Sequence, residues 1–247
     1  GLADRNSAMN RAFFIAGTDT GVGKTHVACA LLHATRRLGL TAVGMKPIAA
    51  GIEADGRNED VARLLAASSI QPPLTLINPY LYDPPIAPHI AAQEAGRSIE
   101  IARIQQAFAQ LQTLAEVVWV EGVGGFLVPL DDNHDTADLA VALALPVVLV
   151  VGMRLGCLNH ALLTAEAIER RGLTLAGWVA NQIDPAMARF EANLATWQRR
   201  LKAPLLGVTP YNQPGSDCLE LKPIFDFKSG NSLKFAEIIG HQSCPDR

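Results

Sequence analysis

The feature that most restricts this chain is residues 17–25, Gly-Thr-Asp-Thr-Gly-Val-Gly-Lys-Thr, set between a short apolar run and an alanine- and leucine-rich stretch. Residues 11–16 (RAFFIA) read as a strand, and residues 24–38 as a helix closed by Gly39. A glycine-rich turn from strand to helix aims free backbone amides and the helix dipole at one point, which suits a phosphate group. Lys24 would then reach the β- and γ-phosphates of a nucleotide, and the Thr25 hydroxyl would ligate magnesium. The strict form of this phosphate loop has a glycine where this chain has Thr18; Gly17 lies one position earlier.

The rest of the chain repeats the alternation. Strands are expected at residues 41–46, 117–121, 146–151, 173–181 and 205–208. Helices are expected at residues 60–67, from Ser98 to about 115, from Asn159 to about 171, and at 187–201, with Ser98 and Asn159 as caps. Residues 117–121 (VVWVE) and 146–151 (PVVLVV) are apolar on consecutive positions, as parallel strands covered on both faces must be. Residues 72–88 are proline-rich and are expected to be irregular. The pattern implies an α/β fold, a doubly wound, mainly parallel sheet with helices on both faces. Residues 1–8 look like a tag remnant, 9–217 form one domain, and 218–247 form an irregular tail with at best a short helix near 232–239.

Bulk properties exclude several function classes. The formal net charge is −3 and no long basic run is present, so nucleic acid is not an expected partner. No apolar run approaches the roughly 20 residues of a bilayer span. The four cysteines follow no zinc or disulfide spacing, which leads us to expect reduced thiols in a cytoplasmic protein.

In an open α/β sheet, ligands bind beyond the carboxyl ends of the strands. Those ends carry the phosphate loop, Lys46, Glu121 followed by Gly122 and Gly124, Arg154 with Gly156 and Asn159, Asn181, and Pro210 with Tyr211. Magnesium favours few carboxylates together with phosphate oxygens and water, a set that Thr25, Asp60 and Glu121 fit. None of the histidines has metal-ligand spacing, and His26 and His33 fall inside the first helix. The aspartates at 131, 132, 135 and 138 lack the spacing of a calcium loop and read as a solvated loop.

Taken in order, G-T-D-T-G-V-G-K-T, K-P-I-A-A-G with Lys46, R-N-E-D with Asp60, N-P-Y at 78–80, P-H-I at 88–90, V-E-G-V-G-G with Glu121, L-G-C-L-N-H at 155–160 and G-W-V-A-N with Asn181 resemble the dethiobiotin synthetases, enzymes of the P-loop NTPase fold. The resemblance runs from about residue 13 to 211. It implies that ATP, carbon dioxide (or bicarbonate) and 7,8-diaminopelargonate give dethiobiotin through a carbamate and a carbamic–phosphoric anhydride. It also implies a homodimer with substrate near the subunit boundary. ATP would be bound by Thr20, Gly21, Val22, Gly23, Lys24, Thr25 and His26 of the loop and helix start. Further nucleotide contacts would come from Asp60, Glu121, Gly122, Gly124, Asn181, Gln182, Pro210, Tyr211, Asn212 and Asp217. Lys46 and Lys24 would be catalytic, and Lys46, Ala50, Gly124, Arg154, Leu155, Gly156, Cys157 and Asn159 would bind the substrate.

Three positions depart from the family pattern. Ala50 stands where many members have serine, Arg154 where lysine is common, and Asp217 where the family has a glutamate near the ribose. Two other classes compete. A dimeric ATP switch like the partitioning ATPases would carry an early loop lysine, where this chain has Asp19. An amidotransferase-linked synthetase of cobalamin type would need a glutaminase domain, for which no length remains.

Overall fold

The structure is a computed structural model that describes residues 11–225 of the 247. Its centre is a six-stranded sheet built from β1 (Arg11–Gly17), β2 (Ala42–Met45), β5 (Val117–Glu121), β6 (Val147–Gly152), β7 (Leu175–Asn181) and β8 (Leu205–Thr209). Every pairing is parallel and the order is β2-β5-β1-β6-β7-β8. The order reverses direction at β1, so the crevice at its carboxyl end is the topological switch point where such sheets bind ligands. β5 and β6 are buried along their whole length, which explains their unbroken apolar sequence.

Helices cover both faces. On one side α1 (Lys24–Arg37) and α2 (Glu59–Ala67) pack through Val27, Leu31, Leu32 and Leu64. The other side is covered by α5 (Ile101–Leu114), α6 (Thr136–Leu143), α7 (Cys157–Arg170) and α8 (Phe190–Arg200), through Ile104, Phe108, Leu139, Ala161, Ile168 and Trp197. The Trp119 indole stacks on Phe13 with ring centroids 4.8 Å apart and donates to the Thr35 hydroxyl at 3.0 Å, fastening α1 to β5 and β1. Among the described residues no helix is long and apolar enough to cross a membrane.

Several expectations are corrected. The proline-rich stretch is not featureless. It holds α3 (Leu74–Ile77), β4 (Tyr80–Tyr82) and the start of α4 (Pro88–Ala95), and β4 pairs in parallel with β3 (Ile48–Ala50). Pieces of three or four residues carry no readable period, and Pro88 at the first turn is a helix-starting proline, not a breaker. Glu100, not Ser98, occupies the cap position of α5. Gly156 begins α7 in a left-handed conformation, so Asn159 lies inside the first turn. Of the aspartates read as loop, Asp135 and Asp138 form a capping box on α6 and hold Arg171 at 2.6 and 3.0 Å.

The packed body runs on past Asp217. After a 3₁₀ turn (Ser216–Cys218), Leu219 and Leu221 are buried against the α1 side, with Ile224 and Phe225 of α9 (Lys222–Phe225). Cys29 and Cys157 are free thiols, whereas Cys218 is disulfide-bonded, against the expectation of reduced cysteines. The expected tag remnant at 1–8 and short helix near 232–239 lie outside the described residues.

Candidate active site

The loop between β1 and α1 has the conformation an anion site requires. Gly21 and Gly23 lie at φ 74° and 86°, where side chains are strained. A Cβ on Gly23 would also come within 2.2 Å of Asn181 Nδ2. Thr18 N donates to Val150 O at 3.1 Å, which seats the loop between β1 and β6. Lys24 and Thr25 then begin α1 nearly buried.

Beside the loop lies a compact buried cluster. The Thr25 hydroxyl donates to Glu121 Oε1 at 2.7 Å. Lys46 Nζ donates to the same oxygen at 3.1 Å and lies 3.4 Å from Asp60 Oδ2. Glu121 is 1% exposed, yet its other oxygen, Oε2, has no partner among the described residues. An ionised carboxylate oxygen held dry without a donor is costly, and such an atom marks a place where a ligand belongs. The donor set is all oxygen: two carboxylates and a hydroxyl at the start of a phosphate-loop helix. That suits magnesium, which shares its coordination with phosphate and water, better than it suits a softer metal.

The electrostatics are uneven. Burial pushes the Lys24 ammonium down to about 8, helped by the nearby positive charge of Lys46 and opposed by Glu121, Asp60 and Asp19. Lys46 is also desolvated, but Glu121 and Asp60 outweigh the burial and its affinity for a proton rises above the ordinary lysine value. So Lys46 has its counter-charges already, while Lys24 awaits an anion.

Local structure explains why these groups meet. Lys46 follows β2, its N–H bonded to Ile77 O at 2.9 Å and its carbonyl accepting from Asn78 Nδ2 at 2.8 Å. Asn58 caps α2 by accepting from Val61 N, and its Nδ2 donates to Gly51 O at 2.8 Å. It thereby ties the segment beyond Lys46 to the helix that carries Asp60. Asn58 and the bracing role of Asn78 were not foreseen. The R-N-E-D and N-P-Y motifs contained both, but an asparagine acting on backbone leaves no signal beyond its residue type.

The remaining expected residues divide. Thr20 N donates to Asp19 Oδ1 at 2.7 Å in the loop itself. Gly122 N donates to Ile15 O at 3.0 Å, and Gly124, at φ 65°, continues the turn after β5. Asn181 is buried against the loop, its Nδ2 donating to Val22 O at 2.9 Å. Gln182 N donates to Thr209 O, just before Pro210 and the half-exposed Tyr211. His26 and Asn212 line one cleft of about 630 Å³ between α1, α2 and residues 212–214. Burial, then Arg63, lowers the basicity of His26, whose Nε2 has no partner among the described residues.

On the opposite side of the loop, Arg154 donates to Asp19 Oδ2 at 2.9 Å. It precedes the exposed Leu155, the left-handed Gly156, the buried Cys157 and the exposed Asn159 at the α7 start. Ala50 ends β3 on the segment that Asn58 grips. Asp217 is not brought to the loop. It pairs with Arg37 at the far end of α1, a helix of 14 residues and so about 20 Å long.

Comparison with known proteins bears on this arrangement. The AAA domain family matches residues 11–217. The MinC:MinD cell division protein complex of Aquifex aeolicus is similar in fold, with a TM-score of 0.52, 17% identity and 82% of both chains covered. At that identity the likeness speaks for the P-loop NTPase architecture alone. Among curated relatives, an ATP-dependent dethiobiotin synthetase BioD of Aromatoleum aromaticum is 63% identical, covering 81% of this chain and 91% of its own. Proteins of the same name are 55% identical in Nitrosospira multiformis, covering 88% and 96%, and 54% identical in Xanthomonas axonopodis, covering 83% and 93%. With the phosphate loop, the buried Lys46–Glu121 pair and matches of that extent, the chain belongs to the ATP-dependent dethiobiotin synthetase family.

Proposed function

We propose that this chain makes dethiobiotin from 7,8-diaminopelargonate, carbon dioxide and ATP, using the residues gathered at the carboxyl end of β1, β2 and β5. The observation that carries the reading is the buried contact of Lys46 with Glu121 and Asp60 beside the phosphate loop, with Glu121 Oε2 left unpartnered among the described residues.

The chemistry begins when one amine of the substrate adds to carbon dioxide, losing a proton and giving a carbamate. A carbamate oxygen then attacks the γ-phosphorus of ATP, the bond to the bridging oxygen breaks, and ADP leaves. The second amine attacks the carbonyl carbon of the anhydride, closes the ureido ring, loses a proton and expels phosphate. The central difficulty is that the carbamate and the triphosphate are both anions. Fixed positive charge at their meeting point is therefore the protein's main contribution. Lys24, held at about 8 when no anion is present, gains a full counter-charge when phosphate arrives. Lys46 stays protonated through its carboxylates and adds a second positive charge near that of Lys24. Thr25, Asp60 and Glu121 would hold magnesium, which neutralises phosphate charge when bound.

Arg154 and the first turn of α7 suit the far carboxylate of the substrate, since a guanidinium and free helix amides both favour an anion. Among the described residues Arg154 spends only one nitrogen, on Asp19, leaving donors for a ligand. The exposed Leu127 and Leu155, on the loops beyond β5 and β6, suit a face covered by the second subunit of a homodimer. The reading places the enzyme in the cytoplasm, where its nucleotide is.

The test is ATP hydrolysis by the purified chain with and without the diamine and bicarbonate. Hydrolysis should depend on both, and Lys46→Ala should lose turnover while keeping its fold by circular dichroism. Equal hydrolysis without the diamine, or wild-type turnover in Lys46→Ala, would defeat the reading.

A further inference from the structure

We propose that Thr209 is a positioning residue for the nucleotide: its buried hydroxyl fixes the Asn181 carboxamide, which holds the carbonyl of Val22 and with it the shape of the phosphate loop. The inference rests on ATP occupying that loop. Thr209 is fully buried and Asn181 nearly so. The two are register partners on β7 and β8. Their backbones are fixed by the sheet: Asn181 O accepts from Met153 N and Thr209 O from Gln182 N, both at 2.9 Å. Only the side chains remain to be oriented.

The orientation of the amide is determined by its partners. Val22 O can only accept, so the atom 2.9 Å from it must be the Asn181 nitrogen. The Asn181 oxygen then faces Thr209, whose hydroxyl donates to it at 2.7 Å. Without that donor the amide keeps one of its two orienting contacts, that to Val22 O, and a buried carbonyl oxygen is left unsatisfied. Packing adds a second constraint. Gly23 lies so close that a Cβ there would sit 2.2 Å from Asn181 Nδ2, so the amide can approach the loop backbone only because residue 23 has no side chain. Val22 itself is buried, so its peptide plane, gripped at the carbonyl, sets the direction of the following Gly23 amide. That amide lies in the stretch whose N–H groups face a bound phosphate. The chain of contacts therefore runs from the last strand of the sheet to the anion-binding backbone, without Thr209 touching the ligand.

The experiment compares Thr209→Val, which keeps shape and removes the hydroxyl, with Thr209→Ser, which keeps the hydroxyl. Binding of ADP with magnesium to the full chain is measured by titration calorimetry. Thr209→Val should bind about tenfold more weakly, a change of about 1.4 kcal/mol. Thr209→Ser should bind within about threefold of wild type. Hydrogen exchange read by mass spectrometry should speed up in the peptide spanning residues 18–25 of Thr209→Val and stay unchanged in β5. If Thr209→Val does not fold, Thr209→Cys, with similar volume and a weak donor, takes its place and should fall between wild type and a tenfold loss. Equal ADP affinity in folded Thr209→Val, or equal losses in Val and Ser, would overturn the proposal. The comparison is read on ADP binding, so a wild type that makes no dethiobiotin would defeat the proposed reaction and leave this inference standing.

Discussion

Glu121→Gln keeps the side chain's shape and removes its charge. The amide oxygen can still accept from Thr25 and Lys46, which lie 2.7 and 3.1 Å from Oε1. The amide nitrogen must then replace Oε2, the atom without a partner among the described residues. Lys46 loses its nearer carboxylate and keeps only Asp60 at 3.4 Å, on a half-exposed side chain. Removing one partner of a buried ion pair costs about 3–5 kcal/mol. Because Asp60 remains and both hydrogen bonds survive, the expected cost is near the low end, about 3 kcal/mol. For a domain of this size each kcal/mol moves the Tm by about 2–4 °C, so the loss should be about 6–12 °C. The second effect is on ligands: an N–H group now faces the place where a cation would need an oxygen. A thermal melt with ADP, with and without magnesium, separates the two effects. Wild type should gain an increment from magnesium that follows ligand linkage, about 2.7 kcal/mol at a hundredfold excess over Kd. Glu121→Gln should lose that increment, and its turnover should fall by about a hundredfold or more. A variant with wild-type Tm, a magnesium-dependent increment and normal turnover would refute the assignment of Glu121.

Four further outcomes are expected. Lys24 has its protonation disfavoured in the folded chain, so stability without ligand should rise as pH climbs from about 8 toward its ordinary value of 10.5, where the unfolded chain still holds the proton. By the same sign, ADP binding at pH 8.5 should take up a proton, which calorimetry in buffers of different ionisation enthalpy detects. Arg154→Ala should raise the KM for the diamine more than it lowers kcat, and leave the urea midpoint nearly unchanged, because its ion pair with Asp19 is half exposed. Asp135→Ala should lower stability by about 1–2 kcal/mol in urea, through loss of the α6 cap and an Arg171 contact, with turnover intact.

What the sequence disclosed follows from how each feature is written in it. The phosphate loop was legible because its chemistry depends on residue type at fixed spacing. Lys46 and Glu121 were legible because a charge at the end of an apolar strand is placed by the sheet itself. By contrast, α6 was hidden. Its residues (TADLAVAL) run straight into the apolar approach to β6, and its capping box uses Asp138 where glutamate or glutamine is usual, so the cluster resembled a solvated loop. The start of α7 was misplaced because Asn159 is a good cap residue by type, whereas Gly156 takes the position through its left-handed backbone. Asp217 looked like a nucleotide contact by its order in the chain. Yet the segment after β8 runs along α1 and carries it away from the loop to Arg37. Thr209 and Asn58 were illegible because they act on backbone and amide groups distant in sequence, which only tertiary structure brings together.

The most direct measurement is to supply ¹³C-bicarbonate, ATP, magnesium and 7,8-diaminopelargonate and weigh the product. Charge gathered around Lys24, Lys46 and Glu121 for carbamate phosphorylation predicts dethiobiotin heavier by one mass unit in its ureido carbon, with one ADP formed per molecule. ADP released without labelled dethiobiotin, or at a rate indifferent to the diamine, would contradict it.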